Sequence, residues 1–245
     1  MTNFTRRQLL ATTAVIGASV IAGTPARARI MSGALPWSPN QVYPPTVVEA
    51  GPWQFFTADE AATVAAIADR IIPADDLGPG GKDAGCAVFI DRQLMGPYGT
   101  SEWLYMEPPF VLDAAANFGI QSPITPTRRY RDGLAALATY TKATFAGRLF
   151  HQLDAADQDR VLTGLEKGDI KIPDGKAFFN QVQANVVEGY FADPVYGGNK
   201  DMCGWKLVGF PGVRYDYRDV IANPNKPYTL PPVSLMGRAS KEAAR

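Results

Sequence analysis

The side chains of this chain that could do chemistry are few and scattered. His151 is its single histidine. An imidazole near neutral pH can serve as a general base, as half of an acid–base pair with a carboxylate, or as a metal ligand. No second ligand stands near it in sequence, so a structural place near the end of a helix is the favoured reading. Cys86 and Cys203 are the two cysteines. In an oxidising compartment they are a candidate disulfide with each other or with another chain, or else two separate buried thiols. Asp75, Asp76 and Asp83 gather around one turn, and Asp193, Asn199 and Asp201 around another. Such oxygens suit calcium, but the spacing fits no EF-hand, and aspartate in turns usually serves its own backbone. Glu102 and Glu107 flank Trp103 and Tyr105, an arrangement open to a sugar platform and better matched to core or interface aromatics.

Several chemistries leave no trace. There is no C-x-x-C-H run for covalent haem, no G-x-G-x-x-G between a strand and a helix, and no G-x-S-x-G elbow. Gly78-Pro79-Gly80-Gly81 follows a helical pattern and reads as a turn. Lysine plus arginine equals aspartate plus glutamate, 24 against 24, which lacks the basic footprint of a nucleic-acid binder.

The N-terminus carries an address. Arg6-Arg7 precedes an apolar run from Leu9 to about Gly23, and Ala26-Arg27-Ala28 follows as a small-residue cleavage site. The run is short for a bilayer crossing. The three parts read as an export signal, with a retained signal anchor as the alternative, and the twin arginine points to the Tat route, which moves folded proteins. That predicts a periplasmic protein.

The elements that must position these residues read as helices. Residues 29–53 are rich in proline and show no apolar period, which predicts an extended arm. Thr57-Ala58-Asp59-Glu60 is a capping box that opens a helix running to Pro73. A second helix is predicted from Asp83 to Met95 and stops at Gly96-Pro97-Tyr98-Gly99. Residues 100–125 are irregular and aromatic. Thr125-Pro126 opens the longest helix, predicted to reach Leu149. Asp154 starts another that ends near Lys167-Gly168, and 174–191 form the last clear one. Beyond Phe191 the period is lost. The fold class expected is mainly α: a signal over 1–28, an extended arm over 29–53, one helical domain over 54–212 and an extended tail over 213–245.

The stretches Phe55-Phe56-Thr57-Ala58-Asp59-Glu60 and Asp69-Arg70-Ile71-Ile72-Pro73, with the twin-arginine leader, form one pattern. The run Asp193-Pro194-Val195-Tyr196-Gly197-Gly198-Asn199, continued by Gly204-Trp205-Lys206 and Gly209-Phe210-Pro211-Gly212, is its most specific part. Together they resemble the small subunit (subunit 3, the gamma chain) of membrane-bound, FAD-dependent gluconate 2-dehydrogenase. The middle segment Tyr105 to Tyr130 and the tail from Tyr215 to Pro232 look more like the gluconate type. Small subunits of the related fructose, sorbitol and glucose dehydrogenases are the alternative.

The resemblance implies a division of labour. A large subunit holds FAD and oxidises D-gluconate to 2-keto-D-gluconate. A multihaem cytochrome c subunit passes the electrons to quinone. The small subunit carries no cofactor, metal site or catalytic residue, meets the membrane only through the complex, and supports folding, Tat export and assembly. Within it Asp193, Pro194, Tyr196, Gly197, Gly198, Asn199, Trp205, Phe210, Pro211 and Gly212 are expected to face the partner as a rigid, turn-rich loop with aromatic anchors. The tail, with Tyr217, Tyr228, Pro231 and Pro232, is expected to lie extended on the FAD subunit. Two readings from other classes stand beside this one: a stand-alone periplasmic enzyme using His151, and a sugar-binding module using Trp103, Tyr105 and Trp205.

Overall fold

Helix starts in this molecule are written in short polar signals. The Thr57 hydroxyl accepts from the Glu60 amide at 3.3 Å, and the Glu60 carboxylate accepts from the Thr57 amide at 2.8 Å. This reciprocal cap opens α1 (Ala58–Ile71). In the computed structural model, residues 46–111, 113–214, 217–221 and 223–236 are described. The twin arginine Arg6-Arg7, the cleavage site at Ala28, most of the N-terminal arm and residues 237–245 lie outside them. The remaining helices are α2 (Cys86–Met95), α3 (Pro97–Thr100), α4 (Pro126–Thr144), α5 (Ala155–Lys167), α6 (Gly175–Phe191), α7 (Cys203–Val208) and α8 (Arg218–Ile221). The described residues contain no β-strand, only isolated bridges between Asp75 and Gly78 and between Gly212 and Val233. The mainly helical class read from the sequence holds.

The core forms around α6. Phe178, Phe179, Val182, Val186 and Tyr190 recur along it at helical spacing and are buried. That stripe packs against α1, α2, α4 and α5. Val64 and Ile67 from α1, Ile90 from α2, Leu137 from α4 and Val161 and Leu165 from α5 close the same cluster. Removing any of these large side chains from such a core costs about 2–5 kcal/mol.

Three boundaries differ from the sequence reading, each for a local reason. α4 stops at Thr144, short of Leu149. Ala146 and Gly147 take left-handed backbone, at φ 52° and 82°, and the Phe145 amide turns back to the Thr141 carbonyl at 2.8 Å. His151 therefore does not sit at the end of the longest helix. It lies in a separate 3-10 turn, Phe150–Gln152, leading into α5. α2 begins at Cys86 rather than Asp83 because Gly85, at φ 84°, is left-handed. Gly96 to Gly99 does more than stop α2: Pro97 starts the short α3, with proline at a position that needs no amide donor.

The end of the N-terminal arm is bound to the body by one carboxylate. Asp91, 0% exposed, accepts from the amides of Gln54, Phe55 and Phe56 at 2.9, 3.0 and 2.9 Å. Arg92 pairs with Asp91 and donates to the Pro52 carbonyl at 3.2 Å. Four donors offset the desolvation of this buried charge.

Candidate functional site

The run after α6 is irregular, yet its polar groups are engaged inside the chain. Asp193 caps a 3-10 turn, Pro194–Tyr196, by accepting from the Val195 amide at 3.0 Å, and its other oxygen accepts from the Leu235 amide at 2.8 Å. Asn199 is 0% exposed. Its Nδ2 donates to the Ala192 carbonyl at 2.7 Å and its Oδ1 accepts from the Gly204 amide at 2.8 Å, so one side chain staples both ends of the loop. Trp205 is buried and donates from Nε1 to the Phe191 carbonyl at 2.7 Å. The Phe210 ring meets it edge-on, with centroids 5.1 Å apart.

Two glycines allow this closure. Gly197 sits at φ 93°, where a side chain is strained. At Gly198 a Cβ would stand 2.2 Å from the Gly189 carbonyl oxygen of α6, so the loop backbone lies directly on the helix. Both ends of the described residues come to the same loop. The Val48 amide donates to the Val195 carbonyl at 2.9 Å. The Val213 amide donates to the Val233 carbonyl at 2.7 Å, and the Val233 amide to the Pro211 carbonyl at 3.2 Å. Tail residues 231–236 are thus bonded to their own chain at Pro211, Val213 and Asp193.

This geometry divides the expected interface set. Gly198, Asn199, Trp205 and Gly212 are buried by the chain's own packing and present no outward anchor. Asp193, Pro194, Gly197 and Pro211 are half-buried at its edge. Tyr196, 46% exposed, and Phe210, 47% exposed, face outward. Beside them Val187 and Phe191, one turn apart on α6, and Leu207 and Val208 on α7 are exposed too. The result is a set of exposed apolar side chains on and around a rigid loop. The sequence reading missed α7 and this set. The period-four spacing of Val187 and Phe191, off the buried stripe of α6, was the available signal.

The other candidates are placed apart. Cys86 and Cys203 are free thiols; Cys86 is fully buried and points its Sγ at the Val186 carbonyl, 3.5 Å away. Burial, with Cys203 nearby, pushes the Cys86 thiol up to about 12. Burial raises Cys203 as well. Neither is a ready thiolate at neutral pH. His151 Nδ1 lies 3.2 Å from the Thr63 hydroxyl, with no carboxylate in hydrogen-bond contact. Asp75 closes its own turn, accepting from the Leu77 and Gly78 amides at 2.8 and 3.3 Å. Among the described residues no three His, Cys, Asp or Glu side chains converge as metal ligands, and no helix is long and apolar enough to cross a membrane. Trp103 and Tyr105 are 81% and 83% exposed.

Comparison with known proteins adds one finding. No curated protein and no solved structure matches this chain. The family model for gluconate 2-dehydrogenase subunit 3 matches residues 58–212, from the first residue of α1 to the glycine that bridges to the tail. The chain belongs to the gluconate 2-dehydrogenase subunit 3 family.

Proposed function

We propose that this chain is the non-catalytic small subunit of a periplasmic, membrane-associated gluconate 2-dehydrogenase, with FAD on a large partner subunit and c-type haem on a cytochrome partner. It supports folding, Tat export and assembly of the FAD subunit, which takes D-gluconate to 2-keto-D-gluconate. The family is that of a dehydrogenase subunit, so a partner surface is needed. The single observation that carries the reading is the exposure of Phe191, Tyr196, Leu207, Val208 and Phe210 on and around the stapled loop, which we read as one apolar partner strip. Large side chains mounted on a rigid base lose little freedom on docking and make effective interface anchors. Arg6-Arg7 supplies the export element, and the complex holds the chain at the inner membrane.

Tagging the chain and purifying it from its own cells tests this. The expected result is a co-purified flavoprotein and a haem protein, seen by their absorbance, with gluconate oxidised faster than fructose, sorbitol or glucose. A chain that purifies alone from gluconate-oxidising cells overturns it. Changing Arg6 and Arg7 to lysine is expected to strand the flavoprotein in the cytoplasm, and normal periplasmic oxidation in that variant overturns the export role.

A further inference from the structure

We infer that the groove between the 101–124 segment and the helices α4 and α6 is a binding site for a small monocarboxylate with an apolar body. The inference is independent of the partner strip, which lies elsewhere on α6. The groove encloses about 620 Å³, within the range that small-molecule sites occupy. Trp103, Leu104, Ile120 and Ile124 form apolar walls, and Arg129 is the sole charged residue among those lining it. A lone cation in a neutral, largely apolar cleft is matched by one negative charge on a hydrocarbon or aromatic body, not by a dianion.

The arginine is held in place. Its Nη1 donates to Gln181 Oε1 at 2.9 Å, while its Nε is buried and has no acceptor. Gln181 is steadied in turn by Tyr98, whose hydroxyl accepts from Gln181 Nε2 at 3.4 Å. Tyr98 donates to Asn185 Oδ1 at 3.1 Å, as does Tyr130 at 3.1 Å, and Asn185 Nδ2 donates to Glu188 Oε2 at 2.9 Å. A hydrogen-bonded chain from the core therefore fixes one side of the guanidinium. Arg129 lines the cleft, and a guanidinium carries five N–H donors, of which Gln181 takes one, so donors remain for an acceptor oxygen. Carboxylate is the group whose two oxygens fit the guanidinium fork.

Decanoate below its micelle concentration, with decanol as its neutral counterpart, tests the site by calorimetry on the full chain. The expected result is saturable one-to-one binding, with the acid at least about tenfold tighter than the alcohol, the difference expected for one charge-assisted pair. Arg129→Gln is expected to erase that preference, with acid and alcohol then bound about equally. Arg129→Lys is expected to keep part of it. Equal affinity for acid and alcohol in the unaltered chain, absence of saturation, or an unchanged preference in a folded Arg129→Gln overturns the site. Ile124→Glu, which adds a carboxylate to the wall, serves as a second variant and is expected to repel the acid more than the alcohol. Unchanged acid binding in it counts against the proposal too.

Discussion

Two irregular stretches of this chain, 192–213 and 101–124, look alike in composition and behave as opposites. Both carry prolines and aromatics, and in sequence both lack a sustained helical period. In the first, Asn199, Asp193 and Trp205 each reach main-chain groups outside their own turn, and Gly198 lets the backbone lie on α6. In the second, the hydrogen bonds of the described residues stay local: Val111 to Gln121, Gln121 to Phe118, Ile124 to Ser122. Its Trp103, Tyr105 and Phe118 stand in solvent. Lack of a helical period in the sequence is therefore no measure of how tightly a segment is specified. What counts is whether its polar atoms are satisfied by distant partners and whether its backbone has a surface to lie on.

The sharpest way to break this contrast is to add one methyl group. Gly198→Ala drives a Cβ into the Gly189 carbonyl and is expected to cost about 3 kcal/mol or more, measured by the midpoint of urea unfolding. A tolerated alanine would mean the loop lifts off α6 cheaply. Asn199→Ala removes a fully buried amide and leaves the Ala192 carbonyl and the Gly204 amide without partners. A loss of about 2 kcal/mol is expected in the same measurement.

Acid separates the neutral staple from the charged one. In Glu60, burial alone would push the carboxyl up. The Thr57 amide, then the Arg131 guanidinium, outweigh it and hold the group below its ordinary value. A folded value below the unfolded one, about 4.3, gives stabilisation that is complete above the unfolded value and lost as pH falls through the folded one. The expected outcome is that Glu60→Gln flattens the fall in melting temperature below about pH 4.3, whereas Asn199→Ala lowers the whole curve without changing its shape. Glu60 is half-buried, with solvent still screening its charge, so this effect is smaller than the loop substitutions. The smallest effect belongs to the second stretch: Trp103→Ala is expected to change stability by no more than about 0.5 kcal/mol. A large loss there would show that the aromatic segment is packed after all.

How much was legible in advance follows from the range of the interactions. The caps at Thr57, Thr125 and Asp154 and the apolar stripe of α6 are local, and the sequence reading found all of them. The stop at Gly147 was equally local and was overlooked, because the apolar period runs on past it to Leu149. Asp91 was illegible in kind: one carboxylate inside an apolar helix face gives no sign that it will bind amides of residues 54–56. The loop motif was recognised by its residues, but its outward and inward members were not separable. Asn199 and Trp205 have the composition of an interface, and only the fold shows that their partners are Ala192, Gly204 and Phe191. Tyr196 and Phe210 remain exposed, as do Phe191 at the end of α6 and Leu207 and Val208 on α7, an element too short for its period to announce.

Val48 hangs on the carbonyl of Val195, and Leu235 on the carboxylate of Asp193, two positions away. The described polypeptide is thereby drawn into a ring whose clasp is a single short loop. Tension applied through its two ends, as during threading or tugging by a tethered neighbour, falls on that clasp and bypasses the helices. The clasp is the mechanical fuse of the molecule: it would part first, with the bundle behind it still folded.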